Sequence, residues 1–477
     1  MIKKTLLASL ILSSLISFSQ EMVSSIPLEL KKNRDVFQTI NNDKKEITLF
    51  IGDKMKVKAI QLDEKMKIVD SISSERPNTK IYTKMIGYNI NNDNTRLFWS
   101  SNDSKDIFTE LYDFNNRKTT TKQHSLVLKD EKVLQKFSDK GFFYILTVIK
   151  KSNDLKLYVF DKEGDYTEKK INLNGFTFYK SDYTQSNLYE VLGENLLPFE
   201  APFSLQLINT DNPTSLTDSA KKRKCYFKNN RIIITLDTNI EFTQVITVDL
   251  TDFKATEKKI KTRDIEEDRT YLNSNSFYFD SKLYQLKSAS NLFYLTVKDL
   301  DGKVLKEHIA KSSEPIDFKN SEVQLEGGDF GGKRTLENSS QFIRKVNNLN
   351  PGISCYSIGQ NTLITFGGIS PIQQSAGQFG MSQFGLIGAL VAVAVYNPSI
   401  ESFNSYSNRK VVKTDGLFDK EGNHIKGDLQ PLAFDKIRTF FDKYTDVSSQ
   451  TLFKTDAYYL GYYDNKTKEY IFRKFND

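Results

Sequence analysis

Short apolar runs of period two recur along this chain, and they recur in pairs. Leu155–Thr167 reads LKLYVFDKEGDYT, Leu292–Lys306 reads LFYLTVKDLDGKVLK, and Gly416–Ile425 reads GLFDKEGNHI. Looser copies occupy Ile107–Thr120, Thr243–Thr256 and Val57–Val69. Successive side chains of a strand point to opposite faces, so each run predicts a half-buried strand. The polar Asp, Gly and Asn between the runs favour a tight turn. Each pair therefore predicts a β-hairpin, and the recurrence predicts a repeat architecture.

Aligned on the hairpin aspartates Asp63, Asp113, Asp161, Asp249, Asp299 and Asp419, the unit is about 50 residues, with two intervals enlarged by inserts. Each unit reads as four strands, A to D. The best copy places A at Ser276–Asp280, B at Leu283–Lys287, C at Leu292–Asp299 and D at Lys303–Ile309. Cys225-Tyr226 and Cys355-Tyr356 open two A strands with similar wording, as duplication would leave them. The last unit, Thr451–Phe475, supplies only three strands, and Ile26–Leu30 is expected to complete it by pairing with Glu469–Phe475. Such a shared sheet removes two open edges.

A unit of this size with four short strands resembles a blade of a β-propeller. The resemblance covers most of the chain but is architectural, because no WD dipeptide or kelch di-glycine pattern recurs. It implies an all-β fold: a β-propeller of seven four-stranded blades, with six or eight left open. Residues 20–477 would form one domain, with insertions at 174–224, 310–353, 367–408 and 427–450. In antiparallel blades these long connections all fall on one face, and long structured loops are usually functional or disordered. Helices are expected over Ser339–Leu349, after a Ser cap, and over Phe434–Tyr444. In the first, Phe342, Ile343, Val346 and Leu349 face one side; in the second, Ile437, Phe440, Phe441 and Tyr444 do.

Residues 1–19 read as a signal peptide: Lys3 and Lys4, an apolar stretch from Leu6 to Phe18, and small Ser17 and Ser19 before a cut at Gln20. The short start ending SFSQ resembles exported proteins of Bacteroidetes-type bacteria. The expected location is therefore periplasmic or extracellular. The formal charge of +7 falls to +5 without the leader lysines, a small excess for so long a chain. The densest basic run, Lys221–Lys224 (KKRK), is expected to be a solvated loop rather than a nucleic-acid patch, and no nucleic-acid partner is expected.

Candidate chemistry is sparse. His124, His308 and His424 each fall on an expected outer D strand of a different blade, so they are not expected to converge on a zinc site or a triad. Cys225 and Cys355 lie on non-neighbouring blades and are expected to be buried free thiols. Gly327–Gly332 lacks the spacing of a phosphate loop. Asp299–Gly302 and Asp419–Gly422 lack a calcium-loop pattern and read as hairpin turns. No catalytic, cofactor or metal residue is selected. The exceptional segment is Gly367–Asn397, rich in Gly and Ala, without charge, and punctuated by Phe379, Met381 and Phe384. It can pack on its own fold, dock a partner, or touch a membrane surface. These three residues are the candidate partner-binding groups. The favoured reading is an exported, non-enzymatic binding or scaffold protein of the bacterial cell envelope, holding a protein or glycan at the elaborated face. The alternative is a propeller enzyme acting on polysaccharide or peptide through carboxylates.

Overall fold

A computed structural model describes residues 20–28, 35–41, 44–92, 94–139, 141–265, 272–327, 332–371, 409–444 and 446–477. The expected signal peptide and Phe379, Met381 and Phe384 lie outside these. Strand accounts for 54% of the structure and helix for 8%, so the class is all-β, with the meandering antiparallel sheets of a propeller-like fold. Two compact units separate: Met1–Leu126 with Phe379–Glu401 and Gln430–Asp477, and Val127–Gln378 with Ser402–Leu429.

The first unit holds three four-stranded sheets. One is the meander Asp35–Asn41, Glu46–Gly52, Lys56–Leu62, Ile68–Glu75; the next is Lys84–Asn91, Asn94–Ser100, Asp106–Asp113, Lys118–Ser125. In the third, Gln20–Pro27 pairs antiparallel with Glu469–Phe475, matching Ile26 to Tyr470. The chain's two ends thus share a sheet, as expected, although the strand begins six residues earlier than predicted. Helix Ala433–Lys443 also lies in this unit; Phe434, Ile437 and Phe440 are buried, Phe441 is half-buried and Tyr444 is exposed.

In the second unit two meanders match the repeat closely: Glu131–Asp139, Phe142–Ile149, Leu155–Phe160, Tyr166–Ile171, and Asn273–Phe279, Lys282–Ser288, Leu292–Asp299, Val304–Lys311. The shared cysteine wording is structural equivalence. Cys225 pairs with Ile234, and Cys355 with Ile364, each on the following strand. Both thiols are free and buried, on different sheets. Burial pushes the Cys225 thiol up to about 12.

The hairpin aspartates have a common task. Asp63, Asp161, Asp299 and Asp419 each accept, through Oδ1, the amide four residues on, at 2.8, 3.0, 2.9 and 2.8 Å. The residue before that amide takes a positive φ: Gly164 at 82°, Gly302 at 87°, Gly422 at 82°. Only glycine adopts this region freely. In the first copy Met66 stands there at 58°, and its side chain is buried in the core. Apolar burial offsets the backbone strain. The outermost strands are exposed and rich in Thr, Lys and Glu, as in Lys118–Ser125 and Ala255–Lys261. Charge on an open edge opposes pairing with other chains.

One sheet departs from the repeat. Phe418 and His424 form a single bridge, so the expected D strand of the Gly416–Ile425 hairpin is absent. Its place beside Val411–Phe418 is taken by Val323–Glu326, from the preceding insertion, with Lys333–Leu336 outside it. Asn320 explains why. Its Oδ1 accepts from Leu417 N at 2.7 Å, and its Nδ2 donates to Ile425 O at 2.7 Å and Gly427 O at 2.8 Å. One side chain thus occupies backbone groups that a D strand would need. Helix Ser339–Asn348 follows, buries Phe342, Ile343 and Val346, and starts at Asn338 rather than at a Ser cap, with no side-chain cap bond.

The shared terminal sheet yields the first prediction. Ile26 is buried on its outermost strand. Ile26→Ala should lower unfolding stability by about 2–4 kcal/mol in urea titrations. Deleting 20–27 should also promote aggregation by opening the Glu469–Phe475 edge.

Candidate functional site

The basic run Lys221–Lys224 is not a solvated loop. It opens the strand Arg223–Lys228, and Arg223 and Lys224 are wholly inaccessible to solvent. Burying charge requires partners and hydrogen bonds. The insertion before this strand supplies several. It contains a hairpin of Phe178–Tyr179 with Gln185–Ser186, helix Leu188–Leu192, strand Gln206–Ile208 and helix Leu216–Ser219. Asn187 caps the first helix by accepting from Glu190 N at 2.9 Å. Gln206–Ile208 pairs parallel with the start of Arg223–Lys228, making a fifth strand.

Glu200 is the acid of the first pair. Its Oε1 accepts from Arg223 Nε at 2.7 Å and Arg223 N at 3.0 Å, and its Oε2 from Lys222 N at 2.9 Å. The guanidinium then donates to Leu192 O, to Glu194 O at 3.2 Å and to Ala201 O at 3.2 Å. One buried cation thus ties the C-terminal end of a helix and the following loop to the sheet. Lys224 forms the second pair, donating to Asp237 Oδ2 at 3.0 Å, Asn275 Oδ1 at 2.7 Å and Lys221 O at 2.6 Å. Asp237 also accepts from Thr243 Oγ1 at 2.8 Å and Ser276 Oγ at 2.9 Å. Asn275 Nδ2 donates to Ala220 O at 2.7 Å and Pro351 O at 2.8 Å. The network therefore joins the insertion to three sheets of the unit.

Lys222 carries the third charge. Its ammonium donates to Ser274 O. Burial pushes it down to about 8, with Lys224 acting in the same direction and Asp237 and Glu200 opposing. Glu200 and Asp237 are each held by several donors, an arrangement that fixes structure rather than freeing a carboxylate to move protons.

This network supports the loop Asn195–Pro202, which lines an open depression of ≈ 600 Å³. Its rim is apolar apart from Asn195: Leu196, Leu197 and Phe199 are half-buried and Pro198 is exposed, while Glu200 is tucked inward. Phe199 packs on the cluster of Leu216, Ala220, Ile369 and Val411, beneath the Arg409 guanidinium 4.9 Å from its ring centroid. Arg409 Nη1 donates to Ser370 O at 3.1 Å. The rim therefore stands beside the points where the segment 372–408 leaves and rejoins the described chain. Sequence reasoning missed this rim, although LLPF between helix-forming and acidic residues was a visible apolar signal.

The histidines also depart from expectation. His308 and His424 come together around Phe418, whose ring lies 5.1 Å from the first and 5.7 Å from the second, centroid to centroid. The hairpin that failed to add a strand instead docks its turn on Val304–Lys311. His308 Nε2 donates to Gly422 O at 2.8 Å, and Lys306 Nζ to Asn423 Oδ1 at 2.7 Å. His424 Nε2 lies 2.9 Å from Asn320 Oδ1. That oxygen already accepts from an amide, so the imidazole must donate. Burial lowers both histidines below their usual range; His424 is lowered further by His308, and Asp317 opposes the shift in both. Among the described residues no group of three or more His, Cys, Asp or Glu side chains could hold a metal ion.

No known family and no curated protein matches the chain. Among solved structures, a DUF4221 family member from Bacteroides vulgatus is 12% identical, with 82% of this chain and 92% of that one covered at a TM-score of 0.30. Cobalt-substituted Synechocystis apocarotenoid oxygenase is 8% identical over 60% of this chain at 0.28, and this chain spans 63% of its length. A neuraminidase-like protein of subtype N10 from a bat influenza virus is 9% identical, covering 73% of this chain and 94% of that one at 0.25. None of these values bears on what this chain does.

Two predictions follow from the geometry. Glu200→Gln or Arg223→Met strands a buried charge or its acceptors and should cost about 3–5 kcal/mol in chemical unfolding, whereas replacing both with apolar residues should recover most of it. The histidines favour their neutral forms in the fold. Their contribution is therefore complete above the unfolded pKa near 6.5 and is lost as pH falls below it. Melting temperature should drop between pH 7 and pH 5, and His308→Gln with His424→Gln should flatten that drop.

Proposed function

We propose that this is an exported, non-enzymatic binding or scaffold protein of the bacterial cell envelope, which holds a protein or glycan partner at its inserted loops. The observation that carries the reading is the buried network itself. Arg223–Glu200 and Lys224–Asp237 immobilise an insertion whose tip is an apolar rim around a ≈ 600 Å³ depression. A rim held rigid before binding loses little entropy on binding, which favours affinity. Export is supported by the leader-like first nineteen residues. The segment Gly367–Asn397, with Phe379, Met381 and Phe384, would supply adaptable apolar groups for a partner.

The test is retention of partners from envelope extracts by the intact chain and two variants. One carries Leu197→Asp with Pro198→Asp. The other replaces 373–395 by a short Gly-Ser linker. Lost partners at an unchanged melting temperature support the reading and assign the contact. Retention by both variants, or a large fall in melting temperature for both, means that these groups serve the fold and the reading is wrong.

A further inference from the structure

The hairpin Gly416–Ile425 rests its turn on the neighbouring sheet at three points. His308 Nε2 donates to Gly422 O at 2.8 Å, Lys306 Nζ to Asn423 Oδ1 at 2.7 Å, and Lys282 Nζ to Lys420 O at 2.8 Å. The seat is close: a Cβ on Gly422 would meet Lys306 Cβ at 3.0 Å. Beyond Phe418 no ladder holds the hairpin. It has one bridge, from Phe418 to His424, one bond from Ile425 N to Leu417 O at 2.8 Å, and the Asn320 amide. The sheet itself does not need the turn. Val411–Phe418 pairs with Asn361–Ile369 on one side and with Val323–Glu326 on the other. A segment with so few backbone bonds of its own can open without the sheets.

Both histidines stand at this joint. His308 belongs to the seat and His424 to the hairpin, and their half-buried rings pack on Phe418, which is 1% exposed. Each imidazole donates through Nε2, which the neutral ring can do. A second proton must go to Nδ1, for which the described residues offer no acceptor, and two charged rings would then share one phenyl group. Burial opposes charge on both. The Gly422 carbonyl favours a charge on His308, Lys306 opposes it, and Asp317 favours it. His308 opposes a charge on His424, Asp317 favours it, and Lys426 opposes it. Within the turn both Asp419 oxygens are taken by Asn423, at 2.8 and 3.0 Å, and Lys420 and Glu421 are exposed. Lys282 brings a further cation to the docked turn.

We propose that this hairpin is an acid-released latch: protonation of His308 and His424 frees the turn at 419–427 from the strand Val304–Lys311 while the sheets stay folded. Docking favours the neutral rings. It is therefore complete above the ordinary histidine value of 6.5 and is lost as pH falls below it. This is more than a loss of overall stability, because the turn leaves first. The proposal rests on the export reading only for its setting, since an exported protein meets the pH of its surroundings. It does not involve the 195–202 rim.

Hydrogen exchange of the full chain at pH 7 and pH 5, expressed as protection relative to the unfolded chain, tests it. Protection across 417–427 should fall by about tenfold or more, since each imidazole can contribute up to about tenfold per pH unit. Protection of the meander Glu131–Ile171 should not change. His308→Gln with His424→Gln keeps a side-chain donor at both positions and should abolish the fall. The unsubstituted protein gives a second reading if that variant folds poorly: both imidazole resonances should titrate over the pH range in which protection is lost. Unchanged protection at 417–427, a fall shared by the meander, a fall that survives both substitutions, or loss while both rings are still neutral overturns the proposal. The assay contains no partner, so a failed pull-down leaves its outcome unaffected.

Discussion

The second unit depends on charge taken out of water and fully partnered. Arg223 and Lys224 would each carry a large desolvation penalty alone. Glu200 and Asp237 offset it, and the remaining donors find Leu192, Glu194, Ala201, Asn275 and Lys221. Because the partners belong to a helix end, a loop, a strand end and neighbouring sheets, the network specifies one arrangement of the insertion. Apolar packing is far less directional. The clusters around Leu188 and Leu216 bury area, but the ionic contacts fix which atoms meet.

Inserted segments here behave as parts of the sheets rather than as loops laid over them. Gln206–Ile208 extends one sheet beside its first strand, and Val323–Glu326 replaces an absent outer strand in another. Both satisfy backbone groups that would otherwise present an open edge. Asn320 has a comparable role, since its amide pairs with backbone on both sides of the turn. The displaced hairpin keeps its Asp419 turn and uses it to dock on the neighbouring sheet through His308 and Lys306. A local motif was retained while its long-range pairing changed.

The surface features divide by the company their charges keep. Lys333 and Lys413 share Glu326, and their charges are balanced locally. Arg334, Arg344, Lys345 and Lys410, a few residues away, have no such balance among the described residues. The apolar rim at Leu196–Phe199 is anchored from beneath by Leu216, Ala220, Ile369 and Val411.

The sequence by itself determined the all-β class, the four-stranded meander, the Asp-led turns, the equivalence of Cys225 and Cys355, both longer helices and the sharing of a sheet by the two chain ends. These rest on local periodicity, on turn chemistry within five residues and on a count of strands, all of which are properties of neighbours in the chain. Only the tertiary structure decided that Arg223 and Lys224 are buried, because burial depends on Glu200 and Asp237 arriving from either side. It also decided that His308 meets His424, since a strand from residues 323–326 displaced the one expected after Asp419. Which charges are partnered is set by contacts between distant segments, and no pattern in one dimension encodes that distance.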